Sequence, residues 1–150
     1  MATALVADPS GASRLAAQHL LEGLGFEVVG ARDLSEATNL VHSLSPDLVL
    51  LDARLATASC ADLVDQIRRS RAGLRACLFF VAANGAGVSI REAMDAGADD
   101  YLVRPYDRRL LGFKLSQARS RGRLTEVQNR PRLVLDNSHS WHFRAFGKAV

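Results

Sequence analysis

Apolar residues along the chain fall into two rhythms. Short runs at Ala4 to Ala7, Glu27 to Ala31, Leu48 to Asp52, Cys77 to Ala83 and Tyr101 to Val103 are bounded by polar or turn residues. Runs of that length read as strands covered on both faces. Between them, Leu15, Leu20, Leu21 and Leu24 recur at helical spacing, as do Leu34, Ala37, Leu40, Val41 and Leu44. Leu63, Val64 and Ile67 mark a third helix, and Leu110, Leu111 and Leu115 a last one. Asp33-Leu-Ser-Glu36 and Ser89-Ile-Arg-Glu92 have the form of capping boxes and predict helix starts. Strand and helix alternate five times, so the expected fold is α/β, a doubly wound parallel sheet of (βα)5 type. The pattern closes near Ser120, which divides the chain into a domain over residues 1–120 and an extension over 121–150.

In such a sheet, ligands gather beyond the carboxyl ends of the strands. There the first strand ends at Asp8, the third at Asp52, the fourth at Ala82 and Ala83, and the fifth at Arg104-Pro105. Gly85 and Gly87 lack the rest of a phosphate-loop pattern and read as turn residues.

Composition narrows the class. A length of 150 residues with 48% hydrophobic and 23% charged residues suits one globular domain and disfavours disorder or a coiled-coil rod. No apolar run is long enough to cross a bilayer and Asp8 interrupts the N-terminal region early, so a cytoplasmic protein without membrane insertion is expected. Cys60 and Cys77 are too few for a disulfide scaffold, and His139 and His142 lack a third metal ligand.

Charge changes the picture more. Residues 1–103 carry 8 Arg, no Lys and 13 acids, a net of −5. Residues 104–150 carry 9 Arg, 2 Lys and 3 acids, a net of +8. The basic excess therefore lies in the last third, which predicts an anionic partner there. Arg outnumbers Lys 17 to 2, and the planar guanidinium fork suits phosphates and guanine edges. If the last helix runs on, Arg119 and Arg123 share a face, while in extended chain Arg132, Val134 and Asp136 project to one side. Arg can pair with the Hoogsteen edge of guanine, Asp136 would accept from its N1 and N2 donors, and Trp141 or a second Arg would stack on its face. Cyclic di-GMP, with two guanines and two phosphodiesters, would use all of these, also as its intercalated dimer. A solvated basic tail, a loose nucleic-acid contact, and packing of Trp141 and Phe143 on the domain remain open.

Two motifs, Pro46-Asp-Leu-Val-Leu-Leu-Asp52 and Ala96-Gly-Ala-Asp-Asp-Tyr-Leu-Val-Arg-Pro-Tyr106, make residues 3–118 resemble the receiver domains of two-component response regulators, which have the flavodoxin-like (CheY-like) fold. The resemblance implies that Asp52 is the phosphoacceptor and that Asp8 with Asp52 would hold Mg²⁺. Several positions depart from that pattern. Ala7 replaces the first acid of the metal pair, Ala82 the switch hydroxyl, Arg104 the Lys, Ala56 the Pro and Cys60 the Gly beside the acceptor, while Tyr101 keeps the aromatic.

Arg119-x-x-x-Arg123 followed by Asp136-x-Ser138 is similar to the PilZ-type cyclic di-GMP signature, with Trp141 where that signature has Gly. The combination of a degenerate receiver and an arginine-rich extension resembles the CheY-like cyclic di-GMP effectors of the Cle family over the whole chain. That resemblance implies a non-enzymatic adaptor recruited to the flagellar base. Its ligand-binding residues would be Arg119, Arg121, Arg123, Arg130, Arg132, Asp136, Ser138 and Trp141, and its partner the flagellar motor switch protein. The alternatives are a phosphorylatable single-domain response regulator and a basic-tail nucleic-acid-binding module, the latter disfavoured by the lack of aromatics interleaved over a folded platform.

Overall fold

Strands β1 (Thr3–Ala7), β2 (Glu27–Ala31), β3 (Leu48–Asp52), β4 (Cys77–Ala82) and β5 (Asp100–Val103) form a parallel sheet in the order β2-β1-β3-β4-β5. The structure is a computed structural model that describes residues 1–125, together with the backbone of two further strands at 131–135 and 141–145. Helices α1 (Gly11–Gly23), α2 (Leu34–Leu44), α3 (Cys60–Arg68), α4 (Arg71–Arg75), α5 (Gly87–Asp95) and α6 (Arg108–Ser120) connect and follow the strands, with a 3₁₀ turn at Ala53–Leu55. This is the expected doubly wound α/β architecture.

The continuous apolar runs are explained by burial on both sides, because alternate residues of each strand enter opposite cores. Leu5, Ala7, Val49, Leu51, Leu78 and Phe80 pack under α2, α3 and α5 with Ala37, Val41, Leu63, Val64, Ile67 and Ala93. Val6, Leu48, Leu50, Phe79, Val81 and Leu102 pack on the other side against Ala17 and Leu21 of α1 and Leu111, Leu115 and Ala118 of α6. Leu15, Leu44 and Leu110 sit at helical spacing but stay exposed, since a helix stripe is wider than the face the sheet can cover.

Local signals are realised unevenly. Asp33 caps α2 by accepting from the Glu36 N–H at 2.8 Å, and Glu36 Oε1 accepts from the Arg32 N–H at 2.8 Å. The expected box at Ser89 is not formed: α5 begins at Gly87, with Ala86 as N-cap and no side-chain cap hydrogen bond. The short α4 had no apolar period to announce it. It rests on Gly73, where a Cβ would lie 1.7 Å from the Ile67 carbonyl oxygen.

Helix α6 stops at Ser120, and Gly122 takes φ 76°, a left-handed turn that glycine adopts without strain. The chain then folds back, placing Leu124 in the core at 5% exposure. Packing thus continues four residues past Ser120. Strands β6 (Pro131–Leu135) and β7 (Trp141–Ala145) pair antiparallel, with Leu133 opposite Phe143, Leu135 opposite Trp141 and Arg132 opposite Arg144.

Candidate functional site

The carboxyl ends of β1 and β3 bring Asp8 and Asp52 together, and the sheet buries both, at 5% and 1% exposure. Two buried carboxylates side by side need positive charge or donors to be tolerated. The chain supplies both. Asp52 Oδ1 accepts from the Arg54 backbone N–H at 2.8 Å and from Arg54 Nε at 3.0 Å, while Oδ2 accepts from Arg54 Nη2 at 2.9 Å and Arg104 Nη1 at 2.5 Å. Arg54 Nη2 also reaches Asp8 Oδ1 at 3.0 Å, so one guanidinium bridges the pair. The Ser10 N–H and the Ser13 hydroxyl satisfy Asp8 at 2.8 and 2.5 Å.

Each partner has a local cause. Asp52 accepts from the N–H two residues on and so caps the 3₁₀ turn that carries Arg54, a short-range bond typical of Asp. Ser13 lies in the first turn of α1, and Arg104 follows β5. The Arg54 guanidinium is pushed further up from its ordinary value, first by its hydrogen bonds to Asp52, against burial, and then by the charges of Asp52 and Asp8. Beside them, burial first and then the Asp8 charge push the Tyr106 phenol up to about 12.

This donor set does not fit a divalent metal as it stands. Magnesium asks for several hard oxygens in octahedral array, whereas the two carboxylates here are already bonded to guanidinium groups and Ala7 contributes none. Ala82, fully buried in one core, offers only a methyl group and no side-chain donor. The arrangement is an ionic cluster with no free carboxylate oxygen on Asp52.

Arg54 was missed in the sequence because a lone Arg after a strand-end Asp has no periodicity. Its only signal is the i, i+2 spacing that an Asp-capped turn brings together.

Of the residues expected to bind the dinucleotide, Arg119, Arg121 and Arg123 are described with their side chains. Arg119 is half-buried on the last turn of α6 and Arg121 is exposed just beyond it. Because the helix ends at Ser120, Arg119 and Arg123 do not share a helical face. Arg123 instead turns to Asp99, with Nε 2.7 Å from Oδ1, and to the Ala76 carbonyl at 2.9 Å. Arg68 Nη2 meets Asp99 Oδ2 at 2.9 Å from the other side. Arg130, Asp136 and Ser138 lie outside the described residues, and Arg132 and Trp141 are described only as members of β6 and β7. Among the described residues no group of three or more His, Cys, Asp and Glu could hold a metal, and no helix is long and apolar enough to cross a membrane.

Comparison with known proteins agrees with this architecture. The response regulator receiver domain family matches residues 4–115. The DNA-binding response regulator MtrA of Mycolicibacterium smegmatis is 33% identical over 128 residues, covering 85% of this chain and 52% of that protein. The phosphate regulon transcriptional regulatory protein PhoB of Pseudomonas aeruginosa is 27% identical over 113 residues, 75% of this chain and 49% of the other. The chain thus spans about half the length of the curated relatives it matches. Among solved structures, the chemotaxis response regulator CheY4 of Vibrio cholerae superposes with a TM-score of 0.70 at 23% identity, covering 78% of this chain and 98% of that one. The receiver domain of a Pseudomonas aeruginosa sensor histidine kinase, which holds a magnesium ion in its active site cleft, gives 0.69 at 23% identity over 77% and 95%. At such identity the structural likeness shows the fold.

Proposed function

The chain belongs to the response regulator receiver domain family, and from that premise we propose that it is a non-enzymatic signalling adaptor whose arginine-rich extension binds cyclic di-GMP and whose domain docks on the flagellar motor switch. The observation that carries this reading is the charge division, −5 over residues 1–103 against +8 over 104–150. A receiver needs no such surplus, and a cyclic dinucleotide offers the phosphates and guanine edges that Arg forks recognise. The ionic cluster supports it from the other direction. With both Asp52 oxygens bonded to Arg54 and Arg104, and with Ala82 in place of the hydroxyl, a ligand other than phosphate on Asp52 is the economical input. For the output, Leu110 and Phe113 stand exposed three residues apart on α6, Phe113 at 58%, and such an apolar pair suits a protein contact.

Isothermal titration of the full chain with cyclic di-GMP and cyclic di-AMP tests the reading. Saturable binding that prefers the guanine ligand is expected. Binding of both alike, with a steep salt dependence shared by RNA, would assign the extension to nucleic acid instead. The strand-end position of Asp52 favours one other reading, a phosphorylated single-domain regulator. Incorporation of phosphate from acetyl phosphate at Asp52 would establish that one.

A further inference from the structure

At the opposite end of the sheet from Asp8 and Asp52, a cleft of about 720 Å³ opens between the end of α2, the short α4 and the segment after α6. That volume lies in the range of small-molecule sites. His42 and Ser45 form one side, Arg71 and Arg75 a second, and residues 122–125 a third. We propose that this cleft is the domain's half of the nucleotide site, in which Arg71 and Arg75 grip one phosphodiester of the cyclic dinucleotide while the extension takes the rest. The proposal rests on the reading of the extension as a cyclic di-GMP binder.

Four observations carry it. Arg71 and Arg75 are four apart on α4 and both exposed, so they present two like charges from one helical face, an arrangement that destabilises a free helix and is relieved by a shared anion. Among the described residues neither is ion-paired, in contrast to Arg68 and Arg123, which Asp99 holds nearby. Among the described residues of the cleft wall the one carboxylate is Asp47, whose Oδ2 accepts from the Thr3 N–H at 2.8 Å. The forks of Arg71 and Arg75 are therefore uncommitted, and a bidentate grip on a phosphate oxygen pair is the chemistry they suit.

The last observation is chain connectivity. Thr125 is the last of the described residues that line the cleft, and in sequence Arg130 follows five residues later. A ligand with two phosphodiesters can then be shared between two sets of arginines. Gly73 holds the platform in place, because only a residue without Cβ lets α4 close on the Ile67 carbonyl.

Calorimetric titration of the full chain with cyclic di-GMP provides the test, comparing the wild type with Arg71→Ala/Arg75→Ala and with Arg91→Ala/Arg109→Ala, which removes the same charge from exposed positions elsewhere. The cleft variant should bind about tenfold more weakly or worse and the control within about twofold, with both melting as the wild type does. Arg71→Lys/Arg75→Lys, which keeps charge without the fork, should fall between. A cleft variant that binds like the wild type overturns the cleft and leaves the extension as the whole site. Equal losses in cleft variant and control also overturn it, as bulk charge. A wild type that ignores cyclic di-GMP overturns the underlying reading and the cleft's role with it.

Discussion

Asp99 is a carboxylate held between two guanidinium groups. It receives Arg123 Nε at 2.7 Å, Arg68 Nη2 at 2.9 Å and the Leu78 N–H at 2.8 Å. Burial works to raise its pKa, but the bonds from Arg123, Leu78 and Arg68 outweigh it and hold the carboxyl below its ordinary value of 3.8. A depressed folded-state pKa contributes stability that is present above the unfolded value and is lost as pH falls through the folded one. Asp99→Asn should therefore cost about 2–4 kcal/mol at neutral pH, because Arg68 and Arg123 lose their shared counter-charge. The same variant should flatten the fall of stability below about pH 4. Urea denaturation from pH 2 to 7 measures both, and an unchanged acid slope would remove Asp99 as the cause. At the other end of the sheet, Arg54→Ala takes a guanidinium from the Asp8 and Asp52 pair. Magnesium affinity should rise about tenfold, the size of one screened charge contact. Calorimetry with MgCl₂ alone reads the change, and equal affinities would mean that Arg54 swings aside at no cost.

Elements differ in how visible they are from the sequence. The five strands and the helices α1, α2, α3 and α6 were legible because their apolar residues are counted by the two-sided sheet, and the alternation of Leu50 and Phe79 with Leu51 and Phe80 between the two cores is the consequence. Helix α4 was not, since five residues contain no repeat and its reason for existing is a contact with the end of α3. Gly73→Ala tests that contact. A Cβ 1.7 Å from the Ile67 oxygen forces α4 away, and a loss of about 1–3 kcal/mol, the usual cost of overpacking, is expected in thermal or urea unfolding. Gly87→Ala, at a position with nothing within 4 Å of the new Cβ, should be neutral by the same measurement. Equal effects at the two positions would show that helix propensity, rather than the Ile67 contact, sets the result. The misread start of α5 has the same lesson: Ser89 and Glu92 have cap spacing, but the helix already begins at Gly87.

For the whole molecule, the proposed nucleotide input uses residues other than Asp8 and Asp52, so the input and the strand-end carboxylates should respond separately. Asp52→Ala removes the carboxylate that Arg54 and Arg104 share, and Asp52 is not among the described residues that line the cleft. Cyclic di-GMP affinity should change less than about twofold, and a tenfold loss, about 1.4 kcal/mol, would instead indicate coupling through the sheet. Asp136→Ala, by contrast, should reduce the preference for cyclic di-GMP over cyclic di-AMP by roughly 1–3 kcal/mol, the worth of a bidentate base contact. Parallel titrations with the two dinucleotides check it, and an unaltered preference would give that carboxylate a role within the extension instead.

What the sequence determined by itself was everything that repeats: the two periods of apolar residues, the alternation that makes a parallel sheet, and the strand ends at Asp8 and Asp52. It also determined the charge division between residues 1–103 and 104–150. Periodicity is a sum over many residues, so single exceptions such as the exposed Leu15 do not disturb it. Tertiary structure alone decided which charges meet. Arg54 bridges Asp8 across 46 positions, Arg104 reaches Asp52 across 52, and Arg123 reaches Asp99 across 24. It also decided that Arg123 folds back after Gly122 rather than continuing a helical face with Arg119. An ion pair depends on a few ångströms between two side chains brought together by the fold, and no local pattern encodes that distance.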